Sequence, residues 1–347
     1  LQKCSAIFFI IFCKIFICNV LKIVFVILSV VFGLAAVSTI RSIAIDKNET
    51  EPITLLFWGD CTFAVHYDIN TKDNYQRTFA QIPWIADADI TMINLESCIS
   101  NRGSKVEKEF NFRMRPKYLP VLKLAGIDIV NLANNHIIDY GKIAFEDTFH
   151  YLDSMGIKHT GAGINLSDAR KPVIVDVKSK KIGFLGYSFA FRAYDNSFGT
   201  APIDTNIIKE DIANLRQNEK VDFVVINFHW GVEGSNYPKL SQQIIARSVI
   251  DNGADLIIGH HPHVMQGIEM YKDKYIVYSL GNFIFGGNSR KKHYTFLYKV
   301  EINQDKIVPQ IIPIVVKNFA AEELPMQIQD SILNLINKYS KDLTNNK

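Results

Sequence analysis

Apolar positions along the 347-residue chain fall into two regimes. From position 5 to 40 they are nearly continuous, with Lys14, Asn19 and Lys22 the only charged or amide side chains. From position 53 onward, short apolar runs alternate with amphipathic stretches, and polar clusters close many of the runs. Short runs rich in β-branched and aromatic residues predict buried strands at 53–58, 89–94, 128–131, 221–227, 256–258 and 275–280. A hairpin is expected from 173–177 and 181–185, and two further β-rich runs at 294–302 and 307–316. Helical spacing predicts helices at 75–85 (cut short by Pro83), 118–125, 141–155, 207–217, 239–252 and 326–339. Gly259 is expected to end the strand at 256–258. Strands alternating with helices describe a layered α/β protein with mixed sheets, in which ligands bind off the carboxyl ends of the strands.

The uncharged part of the first segment, Ile23 to Ile40, approaches the roughly 20 apolar residues that span a bilayer. Lys3, Lys14 and Lys22 precede it, while Arg41 and Lys47 after it are mixed with Asp46, Glu49 and Glu51. That asymmetry predicts a single-pass cell-membrane protein, its N-terminus cytoplasmic and its main domain extracellular. A signal peptide cleaved near Ala35-Ala36-Val37-Ser38 is the alternative. The expected organisation is an anchor at 1–40, a linker at 41–52, the main domain at 53–316 and a C-terminal helical extension at 317–347. Lys and Arg total 38 against 35 Asp and Glu, a near balance that argues against a nucleic-acid partner. Cys4, Cys13 and Cys18 belong to the apolar segment. Cys61 and Cys98 each follow a candidate acidic ligand closely, and both a disulfide and two buried thiols remain open for them.

The chemistry concentrates where strands end. Gly259-His260-His261-Pro262-His263 sets three imidazoles in a stiff loop, and His136 and His229 close other strands, so five of the nine histidines fall at such positions. Asp60, Glu96 and Asn135 stand at equivalent places. A mixed oxygen and nitrogen field of this kind suits one or two divalent transition ions (Mn, Fe or Zn) better than calcium or a structural zinc cage. Glu233 is a candidate general base, extra ligand or salt-bridge partner, and Asn282 a candidate to orient a ligand. Arg113 and Arg115 are candidate contacts to an anionic substrate, against the plainer alternative of a solvated charged strand. The basic run Arg290-Lys291-Lys292 offers the same choice.

Six motifs occur in order: Gly59-Asp60, Asn94-Leu95-Glu96, Asn134-Asn135-His136, His229-Trp230-Gly231-Val232-Glu233, the Gly259–His263 loop and Ser279-Leu280-Gly281-Asn282-Phe283. Together they resemble the CapA family, proteins associated with poly-γ-glutamate capsule synthesis, over about residues 53–316. That family in turn resembles the calcineurin-like metallophosphoesterases. The resemblance implies a four-layer α-β-β-α sandwich and two metal positions sharing Glu96. One would take Asp60, Glu96 and His263; the other, Glu96, Asn135, His229 and His261. It also implies that His136 supports a leaving group or oxyanion. Thr62 departs from the pattern, standing where the phosphoesterases have a histidine, so the second position is expected to be the tighter. His260 is an alternative ligand. The resemblance implies a phosphoester or anionic-polymer substrate and other capsule-synthesis membrane subunits as partners. Three functions stay open: a metal-dependent hydrolase-like protein of capsule synthesis, a non-catalytic polymer-binding or export subunit, or a generic surface phosphoesterase unrelated to capsule.

Overall fold

Successive side chains of the first strand, β1 (Ile53–Cys61), enter different cores. Leu55 and Phe57 go to one apolar cluster, Leu56 and Trp58 to another. This is the period-two alternation of a strand buried on both faces. The computed structural model describes residues 51–286, 293–303 and 306–345. The N-terminal apolar segment, nearly all of the 41–52 linker and the run Arg290-Lys291-Lys292 lie outside the described residues. Among the described residues, no helix is long and apolar enough to cross a membrane.

The remaining strands are β2 (Ile90–Leu95), β3 (Cys98–Ile99), β4 (Arg113–Met114), β5 (Ile129–Asn131), β6 (Lys158–Thr160), β7 (Ala162–Gly163), β8 (Val173–Val177), β9 (Lys180–Ser188), β10 (Gly199–Thr200), β11 (Phe223–His229), β12 (Leu256–His260), β13 (Ile268–Tyr271), β14 (Lys274–Val277), β15 (His293–Asn303), β16 (Lys306–Lys317) and β17 (Ala320–Glu323). They form two large mixed sheets, ordered β17-β16-β15-β1-β2-β5-β6 and β13-β14-β12-β11-β9-β8. Strands β1, β2, β5 and β6 are parallel, as are β14, β12, β11 and β9. Antiparallel strands extend each sheet outward.

The sheets face each other across one core. The first contributes Phe57, Met92, Ile129 and Phe296; the second contributes Phe184, Val225, Ile258 and Val277. Helices Leu119–Leu124 and Gly141–Ser154 cover the far side of the first sheet through Val121, Leu122, Phe145 and Leu152. Helices Thr205–Gln217 and Leu240–Asp251 cover the second through Ile208, Ile212, Leu215, Ala246 and Val249. Ile208, Ile212 and Leu215 are spaced four and three apart, the stripe a sheet-covering helix needs. Asp204 starts that helix by accepting from the N–H groups of Asn206 and Ile207, a cap worth about 1 kcal/mol.

Three expectations change. The 75–85 stretch is two 3-10 turns, Tyr75–Thr78 and Pro83–Ala86, because Pro83 has no N–H with which to continue a helix and instead opens the second turn. Gly259 does not end its strand, which runs on to His260. A Cβ at Gly259 would lie 1.9 Å from the carbonyl oxygen of Tyr278, so glycine there permits close strand packing. The chain turns instead at His261 and His263, with φ of 94° and 58°. Residues 317–345 add the edge strand β17, and the helix Met326–Asn345 buries Ile332 and Ile336 in the inter-sheet core.

Candidate metal centre

The carboxyl ends of β1, β2, β5, β11 and β12 deliver acids, amides and imidazoles to one place. Asp60 is the penultimate residue of β1 and Glu96 directly follows β2; both are fully buried. Glu96 Oε1 is buried without a hydrogen-bond partner. The Nε2 atoms of His136, His229 and His263 stand 3.8, 3.7 and 3.7 Å from it. Those gaps are too long for hydrogen bonds. They match the roughly 3–4 Å between atoms that each bind one ion at about 2.1 Å.

The ligand atoms fall into overlapping sets. Within each, the atoms lie within 4.8 Å of one another: Asp60, Glu96 and His263; Glu96, His229 and His261; and Glu233, His261 and His263. Asn135 Oδ1 joins the second set at 2.7 Å from His229 Nε2. Glu96 is thus common to the first two, and the exposed Glu233 reaches the cluster from the solvent side. Donors of this kind and number fit a divalent transition ion. His260 Nδ1 is 3.2 Å from Asp60 Oδ1, so it faces the same carboxylate. Thr62 brings no ligand: its N–H donates to Ile284 O, and its hydroxyl oxygen accepts from Ala64 N.

Charge is strongly organised here. Burial would raise the Asp60 carboxyl, but the His260 and His263 imidazoles override it and hold it well below the usual carboxylate range. Burial and the neighbouring Asp60 push Glu96 well above its ordinary value, as when two carboxylates share one site. Burial, helped by neighbouring His261, keeps His229 neutral, and burial with His263 brings His261 down to about 4. Neutral imidazoles keep the lone pair a metal requires. His263 runs the other way: against burial, Glu96 and Asp60 bring it up to about 10. The field that holds a proton there also favours a cation. Asn282 Oδ1 accepts from His263 Nδ1 at 2.9 Å and fixes the ring, the place expected for it.

His136 sits at the rim of this cluster. Its Nδ1 is 2.5 Å from Asp139 Oδ2, and Lys108 Nζ lies 3.1 Å from the same nitrogen and 3.0 Å from Asp139 Oδ1. Burial lowers the His136 pKa, with Asp139 opposing. Phe112 covers the ring at 4.2 Å between centroids, and Phe189 covers His261 at 4.9 Å.

Asp139, Lys108 and Asn131 are neighbours of the ligand cluster that lie outside the six motifs, and Asn94 lies inside one without having been given a part. Asn94 Nδ2 donates to Asp60 Oδ1 at 2.9 Å and to Glu96 Oε2 at 3.3 Å. Asn131 Nδ2 donates to Asn94 Oδ1 at 3.0 Å. The signal was an amide inside an apolar strand, which must be satisfied when buried. Arg113 and Arg115 do not join the ligand sets; they line a neighbouring cleft with Lys105 and His66. Cys61 and Cys98 are free buried thiols, donating to the carbonyls of Gly59 and Phe112, so the disulfide alternative falls away.

Comparison with known proteins agrees with the motif order. Residues 54–287 match the family described as bacterial capsule synthesis protein PGA_cap. The chain is 30% identical over 253 residues to the capsule biosynthesis protein CapA of Bacillus anthracis, covering 70% of this chain and 62% of the relative. It is 35% identical over 210 residues to the PGA biosynthesis protein CapA of Bacillus subtilis, covering 58% and 55%. A probable polyglutamine synthesis accessory protein of Mycobacterium tuberculosis is 29% identical over 210 residues, covering 56% of this chain and 55% of that protein. The matched region thus spans a little over half the length of these relatives. With most of its described unit matched in this way, the chain belongs to the bacterial capsule synthesis PGA_cap family.

Proposed function

We propose that the protein is a metal-dependent, hydrolase-like component of capsule biosynthesis, acting on poly-γ-glutamate or a related anionic cell-surface polymer. The names of its relatives support the polymer class. The observation that carries the chemistry is Glu96 Oε1, buried without a partner and faced by three imidazole nitrogens at 3.7–3.8 Å. The two overlapping ligand sets and the helix–sheet–sheet–helix layering support the metallophosphatase-type reading of the fold. Asp60, Glu96 and His263 would hold one ion, and Glu96, Asn135, His229 and His261 a second. A divalent ion bound there supplies Lewis acidity and lowers the pKa of water.

The residues around it have separable tasks. Asp139 and Lys108 orient His136, whose Nε2 points inward to exchange a proton with the leaving group. Glu233 reaches the cluster from solvent, where a carboxylate can take a proton from attacking water. Phe112 and Phe189 limit water around the imidazoles they cover. We place the domain outside the cell on a membrane anchor at residues 1–40, from the charge asymmetry around its uncharged part at 23–40.

A second reading, a polymer-holding or export subunit without catalysis, is favoured by Thr62, which supplies no ligand where the metallophosphatase pattern has a histidine. One experiment divides the two. The full-length chain is purified and its metal content measured, and His229→Ala and His261→Ala are introduced into the producing cell. At least one transition ion per chain, its loss in both variants, and loss of surface polymer support the enzymatic reading. Metal loss with full polymer production ends it.

A further inference from the structure

Beside the candidate metal centre lies a cleft of about 220 Å³ whose walls carry Lys105, Arg113, Arg115 and His66. Asp68 is the one carboxylate in its lining. It meets Arg115 at 3.4 Å. Arg113 sits over Tyr140, its guanidinium carbon 4.0 Å from the ring centre, with one N–H given to the carbonyl of Arg102. A guanidinium has five N–H donors, so donors remain on both arginines for a ligand. Lys105 and His66 are exposed at the cleft, and three residues of its wall, Phe63, Val65 and His66, have positive φ (45°, 38° and 67°). Such backbone is costly and is characteristically retained at binding sites.

The cleft is continuous with the ligand cluster along two chain segments. Phe63 on its wall is three residues from Asp60, hence within about 11 Å of it. Asn111 and Arg113 line it, while Phe112 between them packs against His136 with its ring tilted by 37°. One short strip of chain therefore faces the cleft and the metal centre in turn.

Resting on the polymer reading above, we propose that this cleft is a subsite for a polycarboxylate chain, holding acidic groups of one part of the polymer while a neighbouring linkage reaches the imidazole cluster. Lys105, Arg113 and Arg115 against the single carboxylate of Asp68 leave the lining with an excess of basic side chains, which suits an acidic chain, and guanidinium pairs bidentately with carboxylate.

The test uses the full-length protein and fluorescently labelled γ-linked glutamate oligomers, with unlabelled oligomer, free glutamate and inorganic phosphate as competitors. Lys105→Gln with Arg115→Gln changes two exposed side chains and should weaken oligomer binding at least tenfold while leaving metal content unchanged. Arg113→Lys, which keeps the charge but loses the guanidinium over Tyr140, should weaken it less. Wild-type binding should decline as salt rises. Binding within twofold of wild type in the double variant overturns the proposal. So does competition by phosphate as effective as by unlabelled oligomer. Failure of the metal reading is distinguishable: the protein then lacks metal, yet its oligomer binding still depends on Lys105 and Arg115.

Discussion

Replacing Gly186 with alanine should unseat the candidate metal centre without touching any of its ligands. Gly186 lies in β9, where the second sheet approaches β5 of the first. A Cβ built there falls 2.1 Å from Asn131 Oδ1 and 3.3 Å from the Cα of Gly161. Ordinary contact requires Asn131 to withdraw by about 1 Å or more. Asn131 Oδ1 accepts from Ala133 N at 3.2 Å, and its Nδ2 donates to Asn94, which in turn holds Asp60 and Glu96. Overpacking costs about 1–3 kcal/mol, and each buried polar group left unmatched about 1–3 kcal/mol more. The sum is about 3–5 kcal/mol, or on the order of 5–10 °C in Tm for a unit of this size. Gly183→Ala is the control in the same strand. Its Cβ meets only side-chain ends, Leu215 Cδ1 at 3.1 Å and Val221 Cγ1 at 3.2 Å, and its cost should stay near 1 kcal/mol. Thermal unfolding and metal analysis of both variants provide the comparison. In an Asn131→Ala background the obstacle is gone, and the Gly186→Ala penalty should fall by at least half. Equal Tm and metal content for the two glycine variants would refute the argument.

Three further outcomes follow from other parts of the molecule. Asn282→Ala removes the acceptor that fixes His263 and should weaken metal affinity about 10–100-fold with little change in Tm, read by competition with a chelator. Burial pulls the Asp89 carboxyl up, but Lys178 at 2.8 Å and the Thr54 N–H and hydroxyl at 2.8 and 2.9 Å outweigh it and depress its pKa. The stabilisation is therefore fully present above the unfolded value near 4 and is lost as pH falls through the lower folded value. Asp89→Asn should cost about 1–2 kcal/mol at pH 7, and urea unfolding should show that cost shrinking toward zero in strong acid. Burial raises the Cys61 thiol and brings Cys98 up to about 12, so peptide mapping after native alkylation should find both unmodified, with full labelling only after unfolding.

The parallel strands were legible because their apolar runs are short and end in polar residues, and those ends became the ligand positions. Motif order supplied Asp60, Glu96, Asn135, His229, His261 and His263, and the sheet topology brings them together. Register explains part of what was missed. Asn94 and Asn131 look like interruptions of apolar strands, yet β2 and β5 pair them directly. That pairing lets a chain of amides run from Asn131 through Asn94 to the two carboxylates. Lys108 carries no comparable signal. It belongs to a charged loop that resembles any solvated one. Its loop is held by Val106 N donating to Asp139 O, which places the ammonium against Asp139 and His136 about thirty positions away. Arg113 and Arg115, expected as contacts to an anionic substrate and not as ligands, line the cleft and stand outside the ligand sets. Phe112 packs its ring against His136, while Asn111 and Arg113 on either side of it line the cleft. A basic residue next in sequence to one that packs on a ligand need not meet the ligands itself: Arg113 turns to the Tyr140 ring and the Arg102 carbonyl instead.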